Sequence, residues 1–386
     1  MRPERTALIE AASALAPSIL ARGGEAEELR RVPDKTMREL VDAGLLRMYQ
    51  PKRFGGLEMD YALQVDIAIE LGRACGSTAW VQGVLASHAW VLGMMDPVAQ
   101  AEVWQGNPDA LVANAFFPAQ PHCTAVPEGY VLEGVWRFAS GIDHCSWINL
   151  NVQVPRDGSV EHRFMLVPQR DWVMIDDWYA TGLAATGSKA LQLNKVFVPL
   201  HRTLLTVDCR GGPTPGSSQN ESYLYRLPLM GAFPLGIAAP ALGVAGGMLA
   251  TLRAENMTKK TAVGVPTMDL PAVQMRLALA AAEIDAATAL LRATGQDIDA
   301  HEAGAGDLER RARWRRDMAY AVSLCVQAGE RLYPLIGARG LSRGNPVQRH
   351  WRDLHAIGSH AALSWDGQAQ TYGRVIVGLP PADARL

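Results

Sequence analysis

The chain has 386 residues, of which 48% are hydrophobic and 20% are charged, and its formal net charge is −2. This length is enough for two or three domains with buried cores. A net charge so close to zero predicts no extended basic surface, so a nucleic-acid partner is not expected.

The first 108 residues predict an N-terminal helical domain. Val65, Ala68 and Leu71 recur at the spacing of one helix face. A further helix is predicted to begin after Ser77 or Thr78, either of which is a suitable N-cap residue, and this helix carries His88.

The pattern changes to a compact β-domain over residues 109–206. Segments of strand length rich in Val, Phe and Trp alternate here with Gly, Pro and Asp turns. The predicted strands are 110–117, 129–138, 147–154, 162–167 and 191–198.

Residues 207–227 have no periodicity and predict a loop that is either functional or disordered. Residues 228–386 are helical again. Their long Ala-rich stripe at 269–292 suits the close packing of a four-helix bundle. The basic run 309–316 predicts a helix face in contact with solvent or another subunit. The fold class expected is therefore α+β and mostly α: a helical domain, a β-domain and a helical bundle.

The cysteines and the hydrophobic runs bear on the compartment. The cysteine count is five, which is odd, and none of the cysteines form a C-x-x-C pair, so a reducing cytoplasm fits better than a disulfide framework. No His/Cys cluster has zinc spacing, so no metal is expected. The start of the chain does not resemble a signal peptide. The longest apolar stretch, 231–252, is rich in Gly, Ala and Pro and predicts a buried helix, so no membrane span is expected.

Common nucleotide and nucleophile motifs are missing from the sequence. There is no G-x-G-x-x-G in a strand–turn–helix context, no P-loop and no G-x-S-x-G elbow. The chain therefore has no motif with which to bind a nicotinamide cofactor.

Four landmarks, in sequence order, resemble those of the acyl-CoA dehydrogenase superfamily. They are the G-G turn at 49–56, the strand G-x-W-x-F-x-S-G at 134–141, the T-G-S hairpin at 182–199 and the R-x-x-R-D segment at 349–353. The resemblance covers nearly the whole chain and implies that superfamily's order of helical domain, β-domain and helical bundle.

The string W-R-D…H-A-A-L-S-W-D at 351–366 resembles one branch of that superfamily, the oxygenase components of two-component flavin monooxygenases of the 4-hydroxyphenylacetate hydroxylase type. The resemblance implies that reduced FMN from a separate flavin reductase reacts with O2 to give a C4a-hydroperoxyflavin, which hydroxylates an aromatic or heteroaromatic small molecule. FAD is the alternative cofactor. The resemblance also implies a homotetramer that assembles through the C-terminal bundle.

Other activities of the same fold stay open at this point. One is an acyl-CoA dehydrogenase whose base has moved. Sulfur or nitrogen oxidation is another, and a non-catalytic flavin-binding scaffold is the third. The position of the carboxylate base that many of the dehydrogenases use aligns with Ala361, and alanine cannot take a proton. The neighbouring imidazole, His360, is the first candidate for a catalytic base with a near-neutral pKa, and His88 is the second.

The resemblance also implies the remaining site residues. Ser140, at the end of the flavin-facing strand, is the candidate for holding the oxygenated flavin. Flavin contacts are expected from Trp136, Phe138, Ser140, Thr186 and Ser188, and Lys260 is expected to meet a flavin phosphate. The expected substrate contacts are His88, Asn114, Tyr225 and Phe233.

Overall fold

The computed structural model describes residues 3–156, 159–256, 259–300, 307–383 and 386. Helices make up the N-terminal part of the chain: α1 Pro3–Ala21, α2 Gly23–Leu29, α3 Asp34–Asp42, α4 Leu63–Gly72, α5 Gly76–Met94 and α6 Pro97–Trp104. Every residue of α5 is buried. A helix that is apolar on all sides must be surrounded on all sides, and α5 accordingly contacts the β-region and the C-terminal helices.

The middle of the chain forms two sheets in the part that the structure describes. Their strands are β1 Val112–Ala115, β2 Phe117–Val126, β3 Gly129–Ala139, β4 Trp147–Arg156, β5 Ser159–Pro168, β6 Val173–Ile175, β7 Lys189–Pro199 and β8 Thr203–Leu205. One sheet has the order β1-β4-β5-β8, with β1 parallel to β4, and the other has the antiparallel order β2-β3-β7-β6.

The predicted first strand, 110–117, is in fact the junction of two strands that belong to different sheets. The chain leaves β1 at Ala115 and enters β2 at Phe117. The prediction missed β2 because prolines are rare in strands. Its Pro121 falls where the register with β3 shifts, and β2 is an edge strand, the position in a sheet that tolerates proline.

The C-terminal part is helical, as predicted. Its elements are α7 Leu229–Ala232, α8 Leu235–Ala238, α9 Pro240–Asn256, α10 Pro271–Asp299, α11 Leu308–Leu332, α12 Pro346–Gly358 and α13 Trp365–Ile376. The segment Leu229–Ala254 is long and apolar enough to cross a membrane, but 78% of its most apolar window is buried inside the protein. This agrees with the predicted buried helix at 231–252.

The segment predicted as a loop at 207–227 is packed against the N-terminal helices. It contains short 3-10 turns at Thr206–Cys209, Gly216–Ser218 and Tyr223–Arg226. The buried Asn220 donates hydrogen bonds from its amide to Gly93 O at 2.8 Å and to Gln100 Oε1 at 3.0 Å. These bonds order the segment on α5 and α6. The α+β, mostly α, class expected from the sequence is confirmed.

Candidate active site

A cavity of about 450 Å³ lies between α5, strands β1 and β3, the turn before β7 and the C-terminal helices. This volume is typical of sites for small organic molecules. Most of the wall is apolar or aromatic. Apart from tryptophans, its polar side chains are His88, Asn114, Ser140, Thr186, Ser188, Arg315, Ser359 and His360.

A bulge in β3 aims the end of this strand into the cavity. The pairing of β3 with β7 shifts register between Trp136 and Ala139, and Phe138 has a φ of 64°, which is unusual for a residue with a side chain. The bulge breaks the alternation of the strand. Phe138 and Ser140 line the cavity, whereas Trp136 is buried and donates its indole N–H to Asn151 O at 3.1 Å.

Three hydroxyl groups form a row along one wall of the cavity. The Ser140 Oγ lies 2.7 Å from the Ser188 Oγ, which lies 2.7 Å from the Thr186 Oγ1. Thr186 donates a hydrogen bond to Leu183 O at 2.9 Å. At the other end of the row, the Trp80 Nε1–H donates to the Ser140 Oγ at 3.1 Å.

The turn that carries Thr186 and Ser188 is fastened to α12. Leu183, in this turn, has a φ of 50°. Its N–H donates to the Asp353 carboxylate at 2.7 Å, and Arg352 donates to Thr181 O. A side chain at Gly182 would collide with the backbone of Arg352, so this close approach requires glycine.

His88, on α5, lines the same cavity as the hydroxyl row. Its Nδ1 lies 3.0 Å from Val112 O, so Nδ1 carries the hydrogen and Nε2 keeps a lone pair. The ring stacks on Phe233 with centroids 5.9 Å apart. Burial lowers the pKa of His88 to about 3, which keeps the imidazole neutral.

Asn114 on β1 is buried, and neither atom of its amide has a hydrogen-bond partner among the described residues. A buried amide without a partner costs roughly 1–3 kcal/mol. Asn114 is also one of the residues that line the cavity.

His360 caps the short turn Ala361–Leu363 after α12. Its Nδ1 accepts the Ala362 N–H at 3.2 Å, so the hydrogen is on Nε2. Burial, and to a lesser extent the charge of Arg315, lowers the pKa of His360 to about 4. The sequence predicted a base with a near-neutral pKa at His360 or His88. Burial instead lowers both pKa values well below neutral, so both imidazoles are neutral near pH 7, and their role as a catalytic base stays a prediction.

Arg315 brings a positive charge into the wall of the cavity. It extends from α11, is only 3% exposed, donates to Met230 O at 3.2 Å and forms an ion pair with Asp383 at 3.3 Å. Arg311, one turn earlier, is also buried. The predicted solvent-exposed or intersubunit face of 309–316 therefore needs correction: two of its arginines turn into the protein because backbone carbonyls accept their hydrogen bonds.

Comparison with known proteins decides the family. Profiles of the acyl-CoA dehydrogenase N-terminal and C-terminal domains match residues 2–99 and 235–365. The chain is 36% identical to the FADH(2)-dependent resorcinol hydroxylase, oxygenase component, of Rhizobium sp. (strain MTP-10005), covering 92% of this chain and 90% of that one. It is 32% identical to the p-hydroxyphenylacetate 3-hydroxylase, oxygenase component, of Acinetobacter baumannii, covering 97% and 90%.

The chain belongs to the oxygenase components of flavin-dependent monooxygenases, within the acyl-CoA dehydrogenase family. Solved structures agree. The 3-HSA hydroxylase from Rhodococcus sp. RHA1 has a TM-score of 0.93 at 32% identity, with 98% of each chain covered. XiaF from Streptomyces sp., in complex with FADH2 and glycerol, has a TM-score of 0.89 at 28% identity, covering 99% of this chain and 98% of that one. The resemblance stated from the sequence is thus confirmed.

The residues around the cavity fit the flavin that such an oxygenase uses. The wall contains an aromatic pair, Phe138 and Trp178, with centroids 6.3 Å apart at an interplanar angle of 89°. A planar ring system packs well against such a wall. The hydroxyl row beside this pair would hold the polar edge of the ring. Among the described residues, no group of three or more His, Cys, Asp or Glu side chains could hold a metal ion.

Most of the site residues predicted from the sequence are brought together by the fold. The cavity is lined by His88, Asn114, Phe138, Ser140, Thr186, Ser188, Phe233 and His360. Tyr225 does not line the cavity. Its ring packs against Gly93, in the space that a side chain there would occupy, and its hydroxyl donates to Tyr49 O at 3.2 Å. Lys260 is exposed on a turn that pairs with Pro266 and lies outside this cavity.

Sequence reasoning missed four residues that shape the site. Neither Trp80 nor Trp178 was among the residues predicted to form the site. Arg315 was hidden in a run of charges that is typical of a solvated helix face. Asp353 was noted only as part of a motif. No signal in the sequence pointed to its role, because its burial follows only from the tertiary contacts.

Proposed function

We propose that the protein hydroxylates a phenolic aromatic small molecule, using O2 and reduced flavin supplied by a separate flavin reductase. The observation that carries the proposal is that one cavity is lined both by the hydroxyl row at Ser140 and by the polar side chains of His88 and Asn114. A separate reductase is required because the sequence has no nicotinamide fingerprint.

Bound reduced flavin supplies the chemistry by activating O2, so that one oxygen atom enters the ring and the other leaves as water. The chain's own residues orient the reactants. The lone pair on Nε2 of His88 accepts a hydrogen bond from the phenol and increases the electron density of the ring. The Asn114 amide meets a polar group of the substrate. The Nε2–H of His360 donates into the cavity, and the apolar wall keeps water out.

The hydroxyl row is proposed to hold the flavin. Ser140 would face the N5 edge of the ring system, with Thr186 and Ser188 beside it and Phe138 against a ring face. The first relative described above depends on FADH2, so FADH2 is to be assayed beside FMNH2. A dehydrogenase reaction has less support, because no aspartate or glutamate is among the described residues that line the cavity.

We also propose a cytoplasmic homotetramer. The free thiols of all five cysteines suit a reducing compartment. Met275 and Leu279, one turn apart on α10, are 72% and 46% exposed, which suits helix contact with a second copy. The exposed Lys260 could then meet a flavin phosphate bound to a neighbouring copy.

The test is a single-turnover reaction with 18O2. Protein loaded anaerobically with FADH2 or FMNH2 is mixed with 18O2 and a panel of substituted phenols. We expect one 18O atom in a hydroxylated product. In the variant Ser140→Ala, which keeps the fold, more H2O2 and less product should form per flavin oxidised. Wild-type protein that releases only H2O2 with every phenol, or whose oxidised flavin is bleached by an acyl-CoA, would overturn the proposal.

A further inference from the structure

Each hydroxyl in the row at the cavity wall has one hydrogen, and this fixes the direction of the whole row. Thr186 gives its hydrogen to Leu183 O at 2.9 Å, so it can only accept from Ser188 at 2.7 Å. Ser188 must then accept from Ser140, also at 2.7 Å. The Trp80 N–H can only donate, at 3.1 Å, to the Ser140 oxygen. Ser140 is therefore left with a lone pair, and no hydrogen, for a molecule in the cavity.

The direction of the row depends on where the Leu183 carbonyl points. Leu183 has a φ of 50°, a conformation that costs roughly 1–3 kcal/mol for a residue with a side chain. The Asp353 carboxylate holds it there by accepting the Leu183 N–H at 2.7 Å. Without that bond the turn could relax, and the Thr186 hydroxyl would lose the acceptor that ends the row.

Asp353 is an unusual group for a purely structural task. It is only 2% exposed, and its Oδ2 has no hydrogen-bond partner among the described residues. Burial raises the pKa of Asp353 to about 7. A buried carboxyl with one unsatisfied oxygen is costly to keep. The hydrogen bond to Leu183 gives a reason for keeping this carboxyl. By fixing the Leu183 peptide, it also fixes the carbonyl that accepts the hydrogen bond at the end of the hydroxyl row.

The two redox states of a flavin differ at the N5 atom. Reduced flavin carries a hydrogen there and can donate it to a lone pair, whereas oxidised flavin has a lone pair of its own and needs a donor. We propose that Asp353 is a positioning residue which, through the Leu183 peptide, holds Ser140 as an acceptor and makes the cavity select reduced over oxidised flavin. This rests on the proposed function, which puts the N5 edge at Ser140.

The experiment compares the dissociation constants of oxidised and anaerobically reduced flavin for several variants. Thr186→Val removes the hydroxyl that ends the row, so Ser188 and Ser140 can reverse. Asp353→Ala removes the anchor of Leu183. We expect the ratio of the oxidised to the reduced dissociation constant to fall by about 3- to 10-fold in both variants, which is what one hydrogen bond is worth.

Two further variants serve as controls. Asp353→Asn keeps an acceptor for the Leu183 N–H, so its ratio should stay within about twofold of the wild-type value. Thr214→Val removes a buried hydroxyl that donates to Tyr225 O at the same 2.9 Å but lies outside the cavity, and its ratio should not change. Hydrogen exchange of the Leu183 amide in the flavin-free protein should be faster in Asp353→Ala and unchanged in Asp353→Asn.

Each outcome bears on the inference. An unchanged ratio in Thr186→Val and Asp353→Ala overturns the inference and leaves the proposed function intact. If Asp353→Ala does not fold, Thr186→Val decides alone. Wild-type protein that binds neither redox form overturns the proposed function, and the inference with it.

Discussion

His88 and His360 line one cavity, and the same ring nitrogen, Nε2, is in opposite hydrogen-bonding states in the two residues. The Nδ1–H of His88 is bound to Val112 O at 3.0 Å, so its Nε2 is an acceptor. The Nδ1 of His360 accepts the Ala362 N–H at 3.2 Å, so its Nε2 is a donor. Both rings are neutral near pH 7, because burial lowers their pKa values to about 3 and about 4. The two histidines therefore cannot replace each other.

For His88 we compare two substitutions. Glutamine can put an acceptor oxygen close to the Nε2 position, whereas leucine cannot. His88→Leu should raise the KM for the phenol by about 10- to 100-fold, because the substrate hydroxyl loses its partner. His88→Gln should retain most of the affinity. Steady-state kinetics with a saturating supply of reduced flavin gives the answer, and equal KM values in the two variants would rule out hydrogen bonding at this position.

The donor role assigned to Nε2 of His360 is tested by a substitution that keeps the capping role of Nδ1 and removes the group at Nε2. Asparagine can still cap the Ala362 N–H but has no group at the Nε2 position. His360→Asn should melt near the wild-type temperature and bind reduced flavin normally, while product formation falls by about 10²–10³-fold. His360→Ala should lose the cap as well as the activity. A normal product yield from either variant would make His360 a packing residue.

Buried neutral histidines should make the protein sensitive to acid. His350 on α12 is fully buried, neither of its nitrogens has a partner among the described residues, and burial lowers its pKa to about 4. The unfolded chain takes up this proton below pH 6.5 and the folded chain does not, so stability is lost as the pH falls from 6.5 towards 4. The difference is about 2 kcal/mol at pH 5 for one such residue.

We therefore expect the melting temperature of His350→Leu to fall less steeply with decreasing pH than that of the wild type. Asp353 acts in the opposite sense, because its raised pKa makes the folded protein bind a proton between about pH 4 and 7, so its contribution to stability falls as the pH rises. Comparing His350→Leu with wild type cancels this contribution. If the melting temperatures of the two proteins change in parallel from pH 7 to 5, His350 is not buried in its neutral form.

The exposed face of α10 gives a test of assembly. Leu279→Glu puts a charge at a position that is 46% exposed in the single chain and is proposed to contact another copy. We expect light scattering to show dissociation at micromolar concentration. Val98→Glu on α6, at a residue that is 54% exposed, is the matched control and should leave the mass unchanged. Wild-type protein that is already monomeric would contradict the proposed homotetramer.

Much of the fold could be predicted because apolar spacing follows secondary structure. The apolar helix α5 and the segment before Ala254 are buried as expected. The side chains at the end of β3 were harder to place. Trp136, Phe138 and Ser140 alternate in sequence and should share a face, but the positive φ of Phe138 separates Trp136 from the other two. Such a bulge depends on the pairing partner, which the local sequence does not contain.

The state of the polar groups was also beyond the sequence. A histidine's spacing does not reveal which ring nitrogen meets the backbone, and the roles of His88 and His360 depend on that detail. Arg315 and Asp353 likewise belong to helices with many charges, where buried and exposed charged residues cannot be told apart from the sequence. Only the tertiary contacts show which of these charges are buried.

The tight contact at Gly182 divides the cavity wall into a rigid part and an adaptable part. No side chain fits at Gly182 against the Arg352 backbone, so substitutions at this one position should yield misfolded proteins. Other parts of the wall are aliphatic side chains whose size can vary, including Val84, Leu229, Met230 and Ile237. Directed evolution towards bulkier or smaller aromatic rings should therefore accumulate its substitutions there.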